Sequence, residues 1–253
     1  MTLTLTPLEG IPLIHPGDDL AQIILSSLQQ TRTTLQDGDI LVVAQKVVSK
    51  AEGRLVNLAE VEPSAAAREL ASRVEKDPRE VELVLRESRA ILRARPGTII
   101  VEHRLGFVCA NAGIDHSNVG SAHGEPWVLL LPADPDRSAQ DLRARLQRAS
   151  GAALGVMVID SHGRPWRLGT VGLAIGLSGL PGLVDLRGRP DLFGYILRIT
   201  QVGAADELAA AASLVMGQAA EGTPVVHVRG FPYPSREAKL EELLRPGDQD
   251  MFR

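Results

Sequence analysis

Two short stretches of this sequence gather oxygen ligands in a way that architecture alone does not require. In Asn111-Ala112-Gly113-Ile114-Asp115-His116-Ser117-Asn118 an apolar run gives way to a carboxylate, a hydroxyl and carboxamides around a glycine. In Val158-Ile159-Asp160-Ser161-His162-Gly163-Arg164-Pro165-Trp166-Arg167 a buried strand delivers an aspartate, followed at once by a hydroxyl and a glycine turn. Side chains at strand ends are held by the sheet yet stay open to solvent, which suits binding. Carboxylates with a nearby hydroxyl and amide form a hard-oxygen set for Mg²⁺ or Mn²⁺, cations that bind phosphates alongside one or two carboxylates. The competing reading is that Asp115 and Asp160 merely cap turns. A third stretch, Val47-Val48-Ser49-Lys50-Ala51-Glu52-Gly53-Arg54, follows Lys46, and Lys46 and Lys50 are two of only four lysines. A lysine after a strand can set an ammonium on a phosphate as a point charge; a solvated loop is the alternative.

The common enzyme signatures are absent. No Gly-Lys pair occurs, so there is no P-loop, and no G-x-G occurs, which removes the Rossmann fingerprint. H-E-x-x-H and G-x-S-x-G are missing too. The histidines (15, 103, 116, 123, 162 and 227) show no helical ligand spacing, although His116 and His162 lie within two residues of Asp115 and Asp160.

The elements that must position these groups follow from caps and periodicity. The N-terminal alternation through Thr6 reads as a strand, and Asp18-Asp19 caps a helix running from Leu20 to about Thr31. Ile40–Val43 has the β-branched density of a buried strand, giving way through Ala44–Lys50 to a functional turn or short helix. A helix runs from Pro63-Ser64 to about Lys76. Asp77-Pro78-Arg79-Glu80 starts another, which the spacing of Val81, Val84, Leu85, Ile91 and Leu92 extends to Leu92. Strands are expected at Thr98–His103, Gly106–Ala110, Trp127–Leu131 and Val225–Val228, and at Leu154–Ile159, ending at Asp160. Helices are expected at Arg137–Ala149, Ala205–Ala219 and Glu237–Leu244, and short strands and turns through the glycine-rich stretch after Gly163. Strands and helices mix without a regular βαβα beat, which predicts an α+β fold on a mixed sheet, in one or two lobes, neither Rossmann nor P-loop. With no repeat and no linker, residues 1–253 read as one catalytic unit.

Composition narrows the class further. The 27 basic residues against 31 acidic ones, and only eight aromatics, argue against a nucleic-acid partner, which needs a basic face or stacking platforms. No apolar run is long enough for a membrane span and no signal peptide is evident, so a cytoplasmic protein is expected. The single cysteine, Cys109, excludes an intrachain disulfide and a multi-thiolate zinc site, and its apolar neighbours mark it as a core thiol.

Taken in order, several blocks resemble the coenzyme F420-0:L-glutamate ligase (γ-glutamyl ligase) family. They are Gly10-Ile11-Pro12-Leu13-Ile14 with His15-Pro16-Gly17-Asp18, Lys46–Arg54, Ala112–Asn118 and Asp160–Arg167. Thr200-Gln201-Val202 with Ala205–Ala209 follows, then Leu243–Gly247 with Asp250 and Phe252. The resemblance spans essentially the whole chain. It implies GTP-dependent joining of L-glutamate to a phospholactyl-deazaflavin, coenzyme F420-0, through γ-glutamyl amide bonds, with Mg²⁺ or Mn²⁺, K⁺ as a helper, and a homodimer. It implies metal binding by Asp115, Asp160, Ser161 (threonine in most members) and Gln201. It implies GTP binding by Ile11, Pro12, Leu13 and Ile14, by Gln45, Lys50 and Asn118, and by Ile199, Thr200, Gln201, Val202, Gly203, Ala204, Ala205 and Asp206. Asp115, Asp160 and Lys50 then carry catalysis, and loop amides near Gly163–Gly176 contribute to a phosphate cradle. Some members carry a fused flavin reductase domain, which this chain is expected to lack. A metal-dependent phosphohydrolase and a non-catalytic GTP-binding module are the alternatives.

Overall fold

The structure, a computed structural model, describes residues 2–119 and 126–251. His123 and Phe252, named above, lie outside the described residues. In chain order the elements are β1 (Thr4–Pro7), α1 (Leu20–Gln30), β2 (Ile40–Ala44), α2 (Gln45–Ala51), β3 (Leu55–Asn57), α3 (Ala65–Val74), α4 (Pro78–Arg86), β4 (Ser88–Arg95), β5 (Thr98–His103), β6 (Val108–Ala110), β7 (Trp127–Leu129), α5 (Pro135–Ser150), β8 (Gly155–Arg164), β9 (Arg167–Ser178), β10 (Val184–Asp185), β11 (Gln201–Val202), α6 (Ala204–Met216) and β12 (Val225–Arg229).

A five-stranded mixed sheet in the order β1-β12-β2-β8-β9 organises the molecule, with β2 and β8 parallel and the other pairs antiparallel. The fold is thus α+β, as the element order predicts. Strand alternation sorts the central side chains into two cores. Leu41, Val43, Val156 and Val158 face one side, packing with Ile24 and Leu28 of α1 and Leu142 and Leu146 of α5. Ile40, Val42, Met157 and Ile159 face the other, where Leu208, Ala209 and Ala212 of α6 cover them. The smaller sheets, β4-β5-β6 and β3-β7, build up the region around Asp115.

The helix starts follow from local chemistry. Asp19, Ser64, Asp77 and Asp134 each accept a hydrogen bond from a first-turn N–H of α1, α3, α4 and α5, satisfying donors that the helix cannot.

Five expectations change. The helix expected to reach Leu92 ends at Arg86, and Ile91 and Leu92 lie in β4, paired with β5. Ala, Leu and Arg favour helix there, and sheet pairing overrides that preference. The first part of the glycine-rich stretch is one long strand, β9, and not a set of short ones, while the expected short strands and turns follow it as β10, β11 and the turns between them. The glycines of β9 answer to helices on both faces: a Cβ at Gly172 would lie 2.6 Å from the Ala209 carbonyl of α6, and one at Gly176 would lie 2.4 Å from Pro135 at the start of α5. A register shift between Val158 and Ile159 lets the same strand present both. The helix expected at Glu237–Leu244 is a 3-10 turn over Leu240–Leu243, and α6 stops at Met216, short of Ala219. Finally, β8 does not end at Asp160 but continues to Arg164. Its pairing with β2 does stop there, the last partners being Ala44 and Ile159.

Candidate active site

That stop creates the site. Beyond Ile159 the chain of β2 has turned into α2, so among the described residues no strand pairs with the edge of β8 carrying Asp160, Ser161, His162 and Gly163, which opens on a cavity of about 1140 Å³. Ligands of open α/β-type sheets collect at such carboxyl ends of strands. Four further elements close the cavity: the Ile11–His15 segment, α2 with Gln45, Lys46 and Lys50, the loop of residues 113–119, and residues 216–224 between α6 and β12.

Asp115 hangs from this frame by an isolated bridge to Leu129, its N–H bonding the Leu129 carbonyl at 3.0 Å and its carbonyl accepting in return at 2.9 Å. Gln45 Nε2 donates to its Oδ2 at 2.7 Å, and Lys46 Nζ stands 3.3 Å from its Oδ1. Burial pushes the Asp115 carboxyl above the usual carboxylate range, against the pull of Lys46, and the negative charge of Asp160 raises it further. The two aspartates, from separate segments, therefore lie within electrostatic reach of each other at one cavity.

Asp160 and His162 are two apart on one face of β8, and His162 Nε2 lies 3.0 Å from Asp160 Oδ2. Behind His162 stands the Phe107 ring, with centroids 5.1 Å apart. Cys109 is buried close by, its thiol pushed up to about 12 by burial and then by the charge of Asp160, so it stays protonated as a core thiol. Ser161 leaves the strand on the opposite face, where its Oγ donates to Gln218 Oε1 at 2.8 Å.

Lysines of α2 tie the walls together. Lys46 Nζ also donates to Ser117 Oγ at 2.7 Å, and Lys50 Nζ donates to the carbonyl of Asn118. Burial, then the neighbouring Lys46 charge, lower the Lys50 pKa from its ordinary value. Asn118 Nδ2 in turn donates to the Ala219 carbonyl at 3.0 Å, joining the loop of Asp115 to that of Gln218.

Of the residues singled out in the sequence, Ile11, Pro12, Leu13, Ile14, Gln45, Lys50, Asp115, Asn118, Asp160 and Ser161 all line this cavity. Gln45 is fully engaged, receiving Ser49 Oγ at 2.9 Å on Oε1 while Nε2 holds Asp115, so it orients the aspartate. Ile199, Thr200, Gln201, Val202, Gly203, Ala204, Ala205 and Asp206 do not line the cavity. Gln201 pairs with Asp185 in a separate two-stranded ribbon, Ala204 and Ala205 are buried at the start of α6, and Asp206 accepts the Ala174 N–H at 3.0 Å. The glutamine that meets Ser161 is Gln218. Of the Gly163–Gly176 stretch only Gly163 lines the cavity. His116 lies 3.4 Å from Glu80 and belongs to the surface. Residues 216–224 escaped the sequence reading; their signal is the pair of glycines, Gly217 and Gly222, just past a long helix.

Two acidic side chains with a hydroxyl and a carboxamide match a hard, oxygen-loving cation such as Mg²⁺ or Mn²⁺. Among the described residues no group of three or more His, Cys, Asp or Glu forms a softer or all-protein metal cage.

The F420-0:Gamma-glutamyl ligase family profile matches residues 10–230. The chain belongs to this family. It is 48% identical to the coenzyme F420:L-glutamate ligase of Methanothermobacter thermautotrophicus, with 100% of both chains covered. It is 49% identical to that of Methanopyrus kandleri over 97% of both. With that of Archaeoglobus fulgidus it shares 44% identity, covering 100% of this chain and 97% of the relative. The chain carries no P-loop, and its cavity is assembled from several separated segments. Among the described residues no helix is long and apolar enough to cross a membrane.

Proposed function

We propose that this chain is a GTP-dependent ligase that adds L-glutamate to coenzyme F420-0 in coenzyme F420 biosynthesis, with residues 1–253 acting as one catalytic unit. The observation that carries the reading is the meeting of Asp115 and Asp160 at one large cavity in a chain of this family. Asp115 and Asp160, with the oxygens of Ser161 and Gln218, would hold Mg²⁺ or Mn²⁺, and Gln218 takes the part that the sequence suggested for Gln201. The cation, when bound, neutralises the phosphate charge that spreads during phosphoryl transfer; K⁺ assists it as a monovalent helper.

The chain's own residues supply position and charge. Lys46 and Lys50 set fixed positive charge at the wall where a triphosphate would lie. Gln45 and His162 hold the two carboxylates in one orientation. The Ile11–Ile14 segment and residues 216–224 shape the nucleotide's bed. A carboxylate oxygen of the acceptor attacks the γ-phosphorus and GDP leaves, giving an acyl phosphate. The glutamate amine then attacks the acyl carbon, loses a proton, and inorganic phosphate departs as the amide forms. In-line placement of two substrates accounts for most of the work.

A homodimer fits the surface of the β10–β11 ribbon, where Leu192 and Phe193 are 98% and 95% exposed and Tyr195, Ile196 and Ile199 lie open beside them. A two-stranded ribbon is marginal alone in water, and so large an apolar tip marks a contact.

The test is incubation with F420-0, L-glutamate, GTP and Mn²⁺, following product mass and GDP. Addition of glutamate with stoichiometric GDP supports the proposal. Phosphate release that ignores glutamate would make the protein a phosphohydrolase, and GTP bound intact would make it a binding module.

A further inference from the structure

Past the cavity, β8 and β9 continue as a hairpin whose tip has a composition out of keeping with the rest of the chain. The last pair is Arg164 with Arg167, joined through Pro165 and Trp166. Trp166 is one of two tryptophans in the sequence, yet it is 87% exposed. It sits at φ +64°, a left-handed conformation that bulky residues rarely adopt. The position after proline in a two-residue turn takes this conformation, and it holds the indole at the outermost point of the hairpin. Arg167 is exposed at its side. Arg164 donates from Nη2 to the Leu168 carbonyl, but its Nε is buried with no hydrogen-bond partner among the described residues, a costly omission for a charged group. An exposed indole between two guanidiniums is the chemistry that recognises a flat aromatic ring joined to an anionic group.

The strand also supplies a ruler. Asp160 and Arg164 are four residues apart on β8, a separation of about 13 Å in an extended strand. The function proposed above, on which this inference rests, calls for an acceptor whose reacting carboxylate lies at Asp160. Its aromatic and phosphate portions must extend elsewhere, out of the cation's reach.

We infer that the Arg164–Arg167 tip is the acceptor-recognition element: Trp166 stacks on the planar ring of the acceptor, and Arg164 and Arg167 engage its anionic linker. The tip sets specificity for the acceptor and leaves GTP and the cation untouched. This separates acceptor binding, on the distal hairpin, from phosphoryl transfer, at its base.

The experiment measures F420-0 binding by its own fluorescence, and KM for F420-0, glutamate and GTP, in wild type, Trp166→Ala, Trp166→Phe and Arg167→Ala. The expected result is a rise of about tenfold in the F420-0 Kd and KM for Trp166→Ala and Arg167→Ala. Trp166→Phe should restore most of the affinity, and GTP KM and Mn²⁺ Kd should stay at wild-type values. Unchanged F420-0 constants in an active Trp166→Ala enzyme would overturn the inference while the ligase reading stands. The same result with altered sedimentation would make the tip a contact between copies of this chain. A wild-type protein that neither binds F420-0 nor turns over would take down both readings.

Discussion

The two ends of the central sheet treat their buried acids in opposite ways. At the start of β2, Asp39 is almost wholly enclosed. It accepts from His227 Nε2 at 2.8 Å, from Arg229 Nη2 at 2.7 Å and Nε at 2.9 Å, and from the Gln36 N–H at 2.9 Å. Burial works against its charge, yet the bonds from Arg229, His227 and Gln36 win and hold the carboxyl below its ordinary value. At the other end of the same strands Asp115 has one amide and one ammonium, faces the charge of Asp160, and its carboxyl is pushed up. The acid buried in the fold is saturated with donors; the acid that borders the cavity is held in place and left short of them.

The largest effect that would break this contrast is on activity. Asp160→Ala is expected to lower glutamate-dependent GDP formation by roughly 10²–10³-fold with thermal unfolding near wild type, since the side chain borders the cavity. Near-normal turnover would remove Asp160 from the chemistry. Asp39→Asn should behave in reverse, losing about 3 kcal/mol of stability at pH 7 while the folded enzyme turns over normally. Its deficit has a definite pH dependence. A folded-state pKa below the unfolded one (about 3.9) contributes stability that is present above that pKa and fades as pH falls through the folded value. The gap in urea unfolding between wild type and Asp39→Asn should therefore start to narrow as pH falls below about 4, and a gap that stays constant as pH falls further would contradict the ionic account. The smallest effect separates two glutamines: Gln218→Ala should weaken Mn²⁺ binding by about tenfold, as removal of a supporting oxygen does, and Gln201→Ala should leave it unchanged. Manganese titration by electron paramagnetic resonance reads both.

Much of the frame was legible because its signals are local. The caps at Asp19, Ser64 and Asp77 and the β-branched run of β2 each report on a few adjacent residues. Reading failed where a distant partner decides. Ile91 and Leu92 sit in a sequence that suits a helix but pair with β5, and the glycines of β9 look like turns until α5 and α6 are laid against them. The same holds at the site. Asp115, Asp160 and Lys50 were visible as polar groups beside apolar strands, whereas Gln218 lies on a loop with no feature of its own beyond two glycines.

Which residues can ligate, donate or cap is a property of side chains and their nearest neighbours, and the amino-acid order determined that much alone. Which of them share a cavity depended on where β2 stops beside β8, and on the face that each side chain of β8 then presents. Pairing register is a long-range choice made by burial of the two cores, so only the folded chain could bring Ser161 to Gln218 and leave Gln201 outside.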